Sequence, residues 1–186
     1  ARDIYRAGGV AERSQPVDAA QGAAVAEKID GPFVRRLEAS AFYLHDHRFR
    51  DMPILPAAMG LELARSAFVA AGGHDPVRLE NVTWRRPLEL ASGSVEVRLP
   101  LEDGEAGIKG FRLLSGAETE HMRGSVVALP TGSAPTPLDI AARRGNCPAV
   151  LDRDWLYASY AALGLSYGPA FRCVVEIQAG DGEALA

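Results

Sequence analysis

Two prolines, Pro53 and Pro56, decide what the middle of this chain can become. Proline lacks a backbone donor and pushes the residue before it toward extended geometry, so no regular helix can run between His47 and Ala57. His47 is therefore expected on an extended or looping segment. Pro56 is well placed as the first residue of a helix, where its missing N–H costs nothing and its φ is already helical. That helix is predicted to run from Pro56 to about Ala71 and to stop at Gly72 and Gly73, which suit a left-handed C-terminal cap.

The predicted helix is apolar on nearly every side, from Ala57, Ala58 and Met59 through Leu61, Leu63 and Ala64 to Ala67, Phe68, Val69 and Ala70. A helix of that kind is expected to be buried. Glu62 is its anomaly, since a carboxylate there must be paired, face a cavity, or lie where the helix leaves the core. The N-terminus leaves free amide hydrogens on Ala57 and Ala58, with the positive end of the helix dipole behind them. Such an end can bind an oxyanion or polarise a carbonyl.

Strand-like sequence surrounds this helix. It runs from Phe33 through Val34, Leu37 and Ala41 to Tyr43, and resumes at residues 77–90. Val95, Val97, Leu99 and Leu101 alternate strictly with polar or turn residues, and further strands are expected at 108–114 and 122–129. The separators at 91–94 and 102–107 are turn chemistry. One buried helix among antiparallel strands is an α+β pattern in which a sheet wraps the helix. Residues 1–30, rich in alanine and glycine, read as a linker or the tail of a preceding domain, and residues 130–137 (PTGSAPTP) as a second linker.

Composition excludes several classes. A net charge of −4 gives no basis for binding nucleic acid or an anionic membrane, and no apolar run approaches the roughly 20 residues of a membrane span. No charged-then-apolar leader suggests secretion. Cys147 and Cys173 lack metal-type spacing and read as reduced thiols of a cytosolic protein. His45 and His47 form an H-x-H pair that could begin a zinc site with Asp46, His74 or His121, but residues two apart on an extended segment guarantee no third ligand. Toward the C-terminus, Asp152 or Asp154 can cap an amphipathic helix through Trp155, Leu156 and Leu163 that stops at Gly164. The stretch SYGPAFRCVVEIQAG follows, with a strand expected over 173–177.

Two of these stretches carry a family resemblance. FYLHDHRFRDMPILPAAMGLE, at residues 42–62, resembles the HxxxGxxxxP motif of dehydratase domains in type I polyketide synthases. More distantly it resembles the β-hydroxyacyl carrier-protein dehydratases of fatty-acid synthesis. His47 and Pro56 match the first and last motif positions, Asp51 stands where glycine is usual, and Ala57 stands where relatives often have glycine. Tyr167, Gly168, Pro169 and Phe171 resemble the YGPxF signature at the opening of the second half of the same domains. The resemblance implies a hot-dog fold, an antiparallel sheet wrapped round a central helix. On this reading the chain divides into an upstream segment (1–30), a first hot-dog (31–130), a linker (131–150) and the beginning of a second hot-dog (151–186).

The function the resemblance implies is dehydration of a β-hydroxyacyl thioester on an acyl carrier protein. His47 would be the base, the Ala57 N–H beside Pro56 the oxyanion donor, and Tyr167, Gly168 and Pro169 substrate-side neighbours. No cofactor is implied beyond the phosphopantetheine arm that carries the substrate. The expected partners are the carrier protein, other domains of a multidomain synthase and a second copy in a homodimer, with no nucleic acid and no membrane, in the cytoplasm. In such domains the acid is an aspartate on the second hot-dog's helix, which this sequence does not reach by Ala186. Glu62, fifteen positions after His47, is the weaker candidate acid, by analogy with single-hot-dog relatives that work across a dimer; the bland reading is a carboxylate held by Arg65. Arg48 and Arg50 could meet an acidic carrier, or form a solvated basic edge. The alternatives in other classes are a non-catalytic hot-dog kept as a structural or dimerisation module, and a hot-dog thioesterase.

Overall fold

The computed structural model describes residues 33–130, 132 and 137–186. The segment read as an upstream linker, and most of the PTGSAPTP linker, lie outside these residues. In chain order the first half contains β1 (Phe33–Glu38), α1 (Phe42–His45), β2 (His47–Phe49), β3 (Met52–Pro53), α2 (Ala57–Ala70), β4 (Val77–Trp84), β5 (Ser94–Leu99), β6 (Leu101–Asp103), β7 (Lys109–Ser115) and β8 (Thr119–Ala128). The second contains α3 (Ile140–Gly145), β9 (Ala149–Leu151), α4 (Arg153–Ala162), β10 (Leu165–Tyr167), β11 (Ile177–Ala179) and β12 (Ala184–Leu185).

The main sheet is antiparallel, in the order β1-β5-β7-β8-β4, with β6 also paired to β7. Period-two alternation decides which side chains turn inward: Val97 and Leu99 on β5, Phe111 and Leu113 on β7, and Met122 and Val126 on β8 are all buried. They meet α2, whose inner stripe is Gly60, Leu63, Ala64, Ala67 and Phe68. These positions fall one turn apart on one helix face. Burying each larger side chain contributes about 1.5–3 kcal/mol. A sheet curled round a single helix is the hot-dog arrangement.

Three local expectations are corrected. The strand predicted from Phe33 to Tyr43 ends at Glu38, where a turn leads into the single turn of α1. The stretch at 77–90 is strand only to Trp84, and beyond it Glu89 makes one isolated bridge to Ile54. The strand expected over 173–177 begins only at Ile177. Nor is α2 buried all round, since Ala57, Ala58 and Glu62 are exposed. Its C-terminus closes as predicted: Gly72, at φ 91°, donates its N–H to the Val69 carbonyl, and the Gly73 N–H reaches the Phe68 carbonyl. Asp152, rather than Asp154, caps α4 by accepting the Asp154 N–H at 2.7 Å.

A second, three-stranded sheet, β10-β2-β3, joins the two halves of the chain. Within it β2 and β3 form a hairpin whose loop is Arg50 and Asp51, at φ 49° and 65°. Two successive left-handed residues form the type I′ turn, which strongly favours glycine at its second position. That is the physical reason for glycine at this place in the motif, and Asp51 meets the same requirement at a cost. We expect Asp51→Gly to raise unfolding stability by about 0.5–1 kcal/mol, because relief of the left-handed strain exceeds the added entropy of the unfolded glycine. A urea melt with an unchanged or lower midpoint would count against this account.

Candidate active site

His47 opens β2, and its place is set by bonds on both of its edges. Its carbonyl accepts the Ile54 N–H at 3.1 Å, and its ring Nδ1 lies 3.0 Å from the Ile54 carbonyl oxygen. A carbonyl can only accept, so Nδ1 is the donor there, and in the neutral ring Nε2 is the nitrogen with the lone pair. The ring is half-buried and its face is covered by two aromatics from the second motif. Tyr167 stands 5.4 Å away at 35° and Phe171 5.2 Å away at 51°. Those two stack on each other, 5.9 Å apart and 17° from parallel. Tyr167 is also the register partner of His47 across the β10–β2 pair. Tyr157 and Tyr160 of α4 back it edge-on, and burial first, then these two neighbours, push the Tyr167 phenol above its ordinary range. It therefore stays a neutral hydroxyl near pH 7.

The N-terminus of α2 lies a few residues further along. Pro56 is not the first helical residue but the cap before it, at φ −59° and ψ 141°. Its carbonyl takes the first helical donors, from Met59 and Gly60, which leaves the N–H groups of Ala57 and Ala58 ahead of the ladder. A cavity of about 220 Å³ opens here, lined by Leu55, Pro56, Ala57 and Gly60 on one side and by Trp84, Leu88, His121 and Met122 among others. His47 is not among its lining residues. His121 forms part of its wall as a satisfied buried histidine. Its Nδ1 donates to the carbonyls of Pro87 (3.2 Å) and Arg86 (3.3 Å), and its Nε2 accepts from Ser115 Oγ at 2.7 Å.

Glu62 stands apart from these groups. Its carboxylate takes both Arg65 Nε (2.8 Å) and a terminal Arg65 nitrogen (2.6 Å), and also the Ser66 hydroxyl at 3.1 Å. Arg65 in turn reaches Asp75 at 2.5 Å. The Arg65 hydrogen bond holds the Glu62 carboxyl below the usual range, so it carries no proton to donate near neutral pH. The histidines considered for zinc do not converge: His45 Nδ1 is 2.7 Å from Asp46 Oδ1, while His47 and His121 are engaged as described. Among the described residues no group of three potential ligands is gathered. Arg48 ties back to the His45 carbonyl at 2.9 Å, and Arg50 lies over the Phe49 ring.

Gly168 and Pro169 turn the chain rather than line the cavity. The Gly168 N–H donates to the Asp46 carbonyl at 2.8 Å, and Pro169 opens a 3₁₀ turn that ends at Phe171. Sequence reasoning missed three participants. Ile54 acts through its backbone, which no side-chain pattern reports; Phe171 is visible in the sequence only as the last letter of its motif; Asp46 enters there only as a possible metal ligand.

Similarity to known proteins points to one family. Residues 23–115 match the family described as the polyketide synthase dehydratase domain, and residues 135–186 a second described as the polyketide synthase dehydratase N-terminal domain. The chain is 36% identical over 169 residues to the polyketide synthase ThaG of Burkholderia thailandensis, a match covering 82% of this chain and 3% of that protein. It is 29% identical over 159 residues to PksN of Bacillus subtilis, covering 78% and 3%. Among solved structures it resembles a trans-AT PKS dehydratase domain from Brevibacillus brevis, at TM-score 0.73 and 24% identity, covering 80% of this chain and 56% of that one. It also resembles the dehydratase domain from the CurF module of curacin polyketide synthase, at TM-score 0.77 and 22% identity, covering 85% and 62%. The chain thus spans a small part of the curated relatives and somewhat more than half of the solved domains. With half of its length matched by the first family alone, the chain belongs to the polyketide synthase dehydratase domains.

Proposed function

We propose that this chain is the histidine-bearing part of a hydro-lyase that removes water from a β-hydroxyacyl thioester, carried on the phosphopantetheine of an acyl carrier protein, to give the enoyl thioester during polyketide elongation. The observation that carries the reading is the bond from His47 Nδ1 to the Ile54 carbonyl, which makes Nε2 the acceptor nitrogen of the neutral ring. In the reaction Nε2 takes the α-proton, the C–H electrons become the new double bond, and the β-hydroxyl leaves as water after receiving a proton. The amide hydrogens at Ala57 and Ala58 would meet the charge that builds on the thioester oxygen.

The acid this role needs is the one the resemblance implies, an aspartate on the helix of the second hot-dog. The Arg65 partner of Glu62 argues against that residue in the role. Two solved structures of a similar protein, the CurK dehydratase, are of inactive mutants, one replacing a histidine by phenylalanine and the other an aspartate by asparagine. That pair supports reading His47 as one member of a histidine–aspartate couple. The carrier protein, neighbouring synthase domains and a second copy of the chain are the partners this role calls for.

The full-length protein, incubated with a 3-hydroxyacyl pantetheine thioester, should give the enoyl thioester, detected by its conjugated absorbance and by loss of water in the mass spectrum. Free acid as the product would favour the thioesterase reading. No conversion, with the fold intact, would favour a structural module.

A further inference from the structure

We infer that Asp46 is a positioning residue that holds the Tyr167–Phe171 aromatic wall, and through it the ring of His47, in place. Asp46 caps α1 immediately before His47, and it binds the second motif twice. Its carbonyl accepts the Gly168 N–H at 2.8 Å, and its Oδ2 accepts the Ala170 N–H at 2.9 Å. The second bond joins residues 124 positions apart. Its remaining oxygen faces His45 Nδ1 at 2.7 Å, and the side chain is only 12% exposed. The Ala170 bond, followed by the one to His45, lowers its carboxyl below the ordinary range, so it stays an ionised acceptor.

The fit is close enough to dictate its neighbour. A Cβ at Gly168 would stand 2.4 Å from Asp46 Cγ and Oδ1, so only glycine lets the loop come this near. The two backbone bonds bracket Pro169, and the turn they hold begins at Tyr167 and ends at Phe171. These are the two rings that cover the imidazole. On the other side, among the described residues the His47 ring is tied only through Nδ1. Loosening the loop therefore frees the ring to tilt about that single bond, and a misplacement of about 1 Å can cost on the order of 100-fold in rate.

The catalytic part of this inference rests on the reading of His47 as the base, so its test has a second readout that needs no activity. In the full-length protein Asp46→Ala should lower kcat for the 3-hydroxyacyl pantetheine thioester by about 10–30-fold with KM within about twofold, because Asp46 touches the wall and not the substrate. Asp46→Asn, which keeps an acceptor oxygen for Ala170, should recover kcat to within about threefold of the parent. Gly168→Ala should reproduce the alanine variant. With histidine labelled in the ring, the ring-current-shifted His47 carbon-bound protons should move in Asp46→Ala and hold still in Asp46→Asn. Unmoved His47 signals in Asp46→Ala would overturn the inference. So would equal losses in both Asp46 variants that follow the fraction unfolded. If the parent protein itself fails to eliminate water, the dehydratase reading falls and the ring signals alone decide the role of Asp46.

Discussion

Replacing His47 by alanine in the full-length protein is expected to lower enoyl thioester formation by about 1,000-fold, within the range that a positioned general base supplies. The size follows from the tautomer. With Nδ1 committed to the Ile54 carbonyl, Nε2 is the nitrogen left for the proposed proton transfer, and the nearest alternatives are spoken for. Asp46 is bonded to Ala170 and His45, and Tyr167 is a phenol held neutral by its surroundings. The variant should still fold, because the β10–β2 register at this position uses backbone groups that alanine retains. Loss of one hydrogen bond and of ring contacts costs about 1–2 kcal/mol. Circular dichroism and the melting midpoint would establish the fold, and product formation within tenfold of the parent in a folded variant would remove His47 from the chemistry.

The second large effect concerns a single amide hydrogen. Ala57→Pro is expected to lower kcat by about 100- to 1,000-fold, the usual loss when one oxyanion donor is removed, while leaving stability nearly unchanged. The first helical position is where proline is best tolerated, since the N–H it lacks is not used by the helix. The preceding residue must be extended, and Pro56 already is, at ψ 141°. The substitution therefore deletes a donor beside the 220 Å³ cavity and little else. A variant that melts like the parent and retains its kcat would show that the carbonyl is polarised elsewhere.

Much of this fold could be read from local rules. The prolines placed a helix start at Pro56, one residue ahead of the observed one, the glycine pair placed its end, and strict alternation at Val95, Val97 and Leu99 marked a strand whose inner residues are buried. Each of these signals acts through dihedral angles or side-chain direction within a few residues. The same rules failed where the decisive neighbour was distant. The apolar count of α2 suggested burial on all sides, yet small alanines and Glu62 form its open face. Asp51 was a departure from a pattern until the hairpin showed φ 65° at that place.

By itself the sequence determined the ingredients of the site: an imidazole ahead of a proline-started helix, free amides at that helix's end, and a tyrosine–glycine–proline turn far along the chain. Only the tertiary structure decided that the turn closes over the imidazole, that Asp46 is the residue clamping it there, and that a backbone oxygen chooses which ring nitrogen is free. The reason is that local conformation is set by torsional preferences the letters carry, whereas these contacts depend on the register of strands β2 and β10, which the packing of the whole sheet selects.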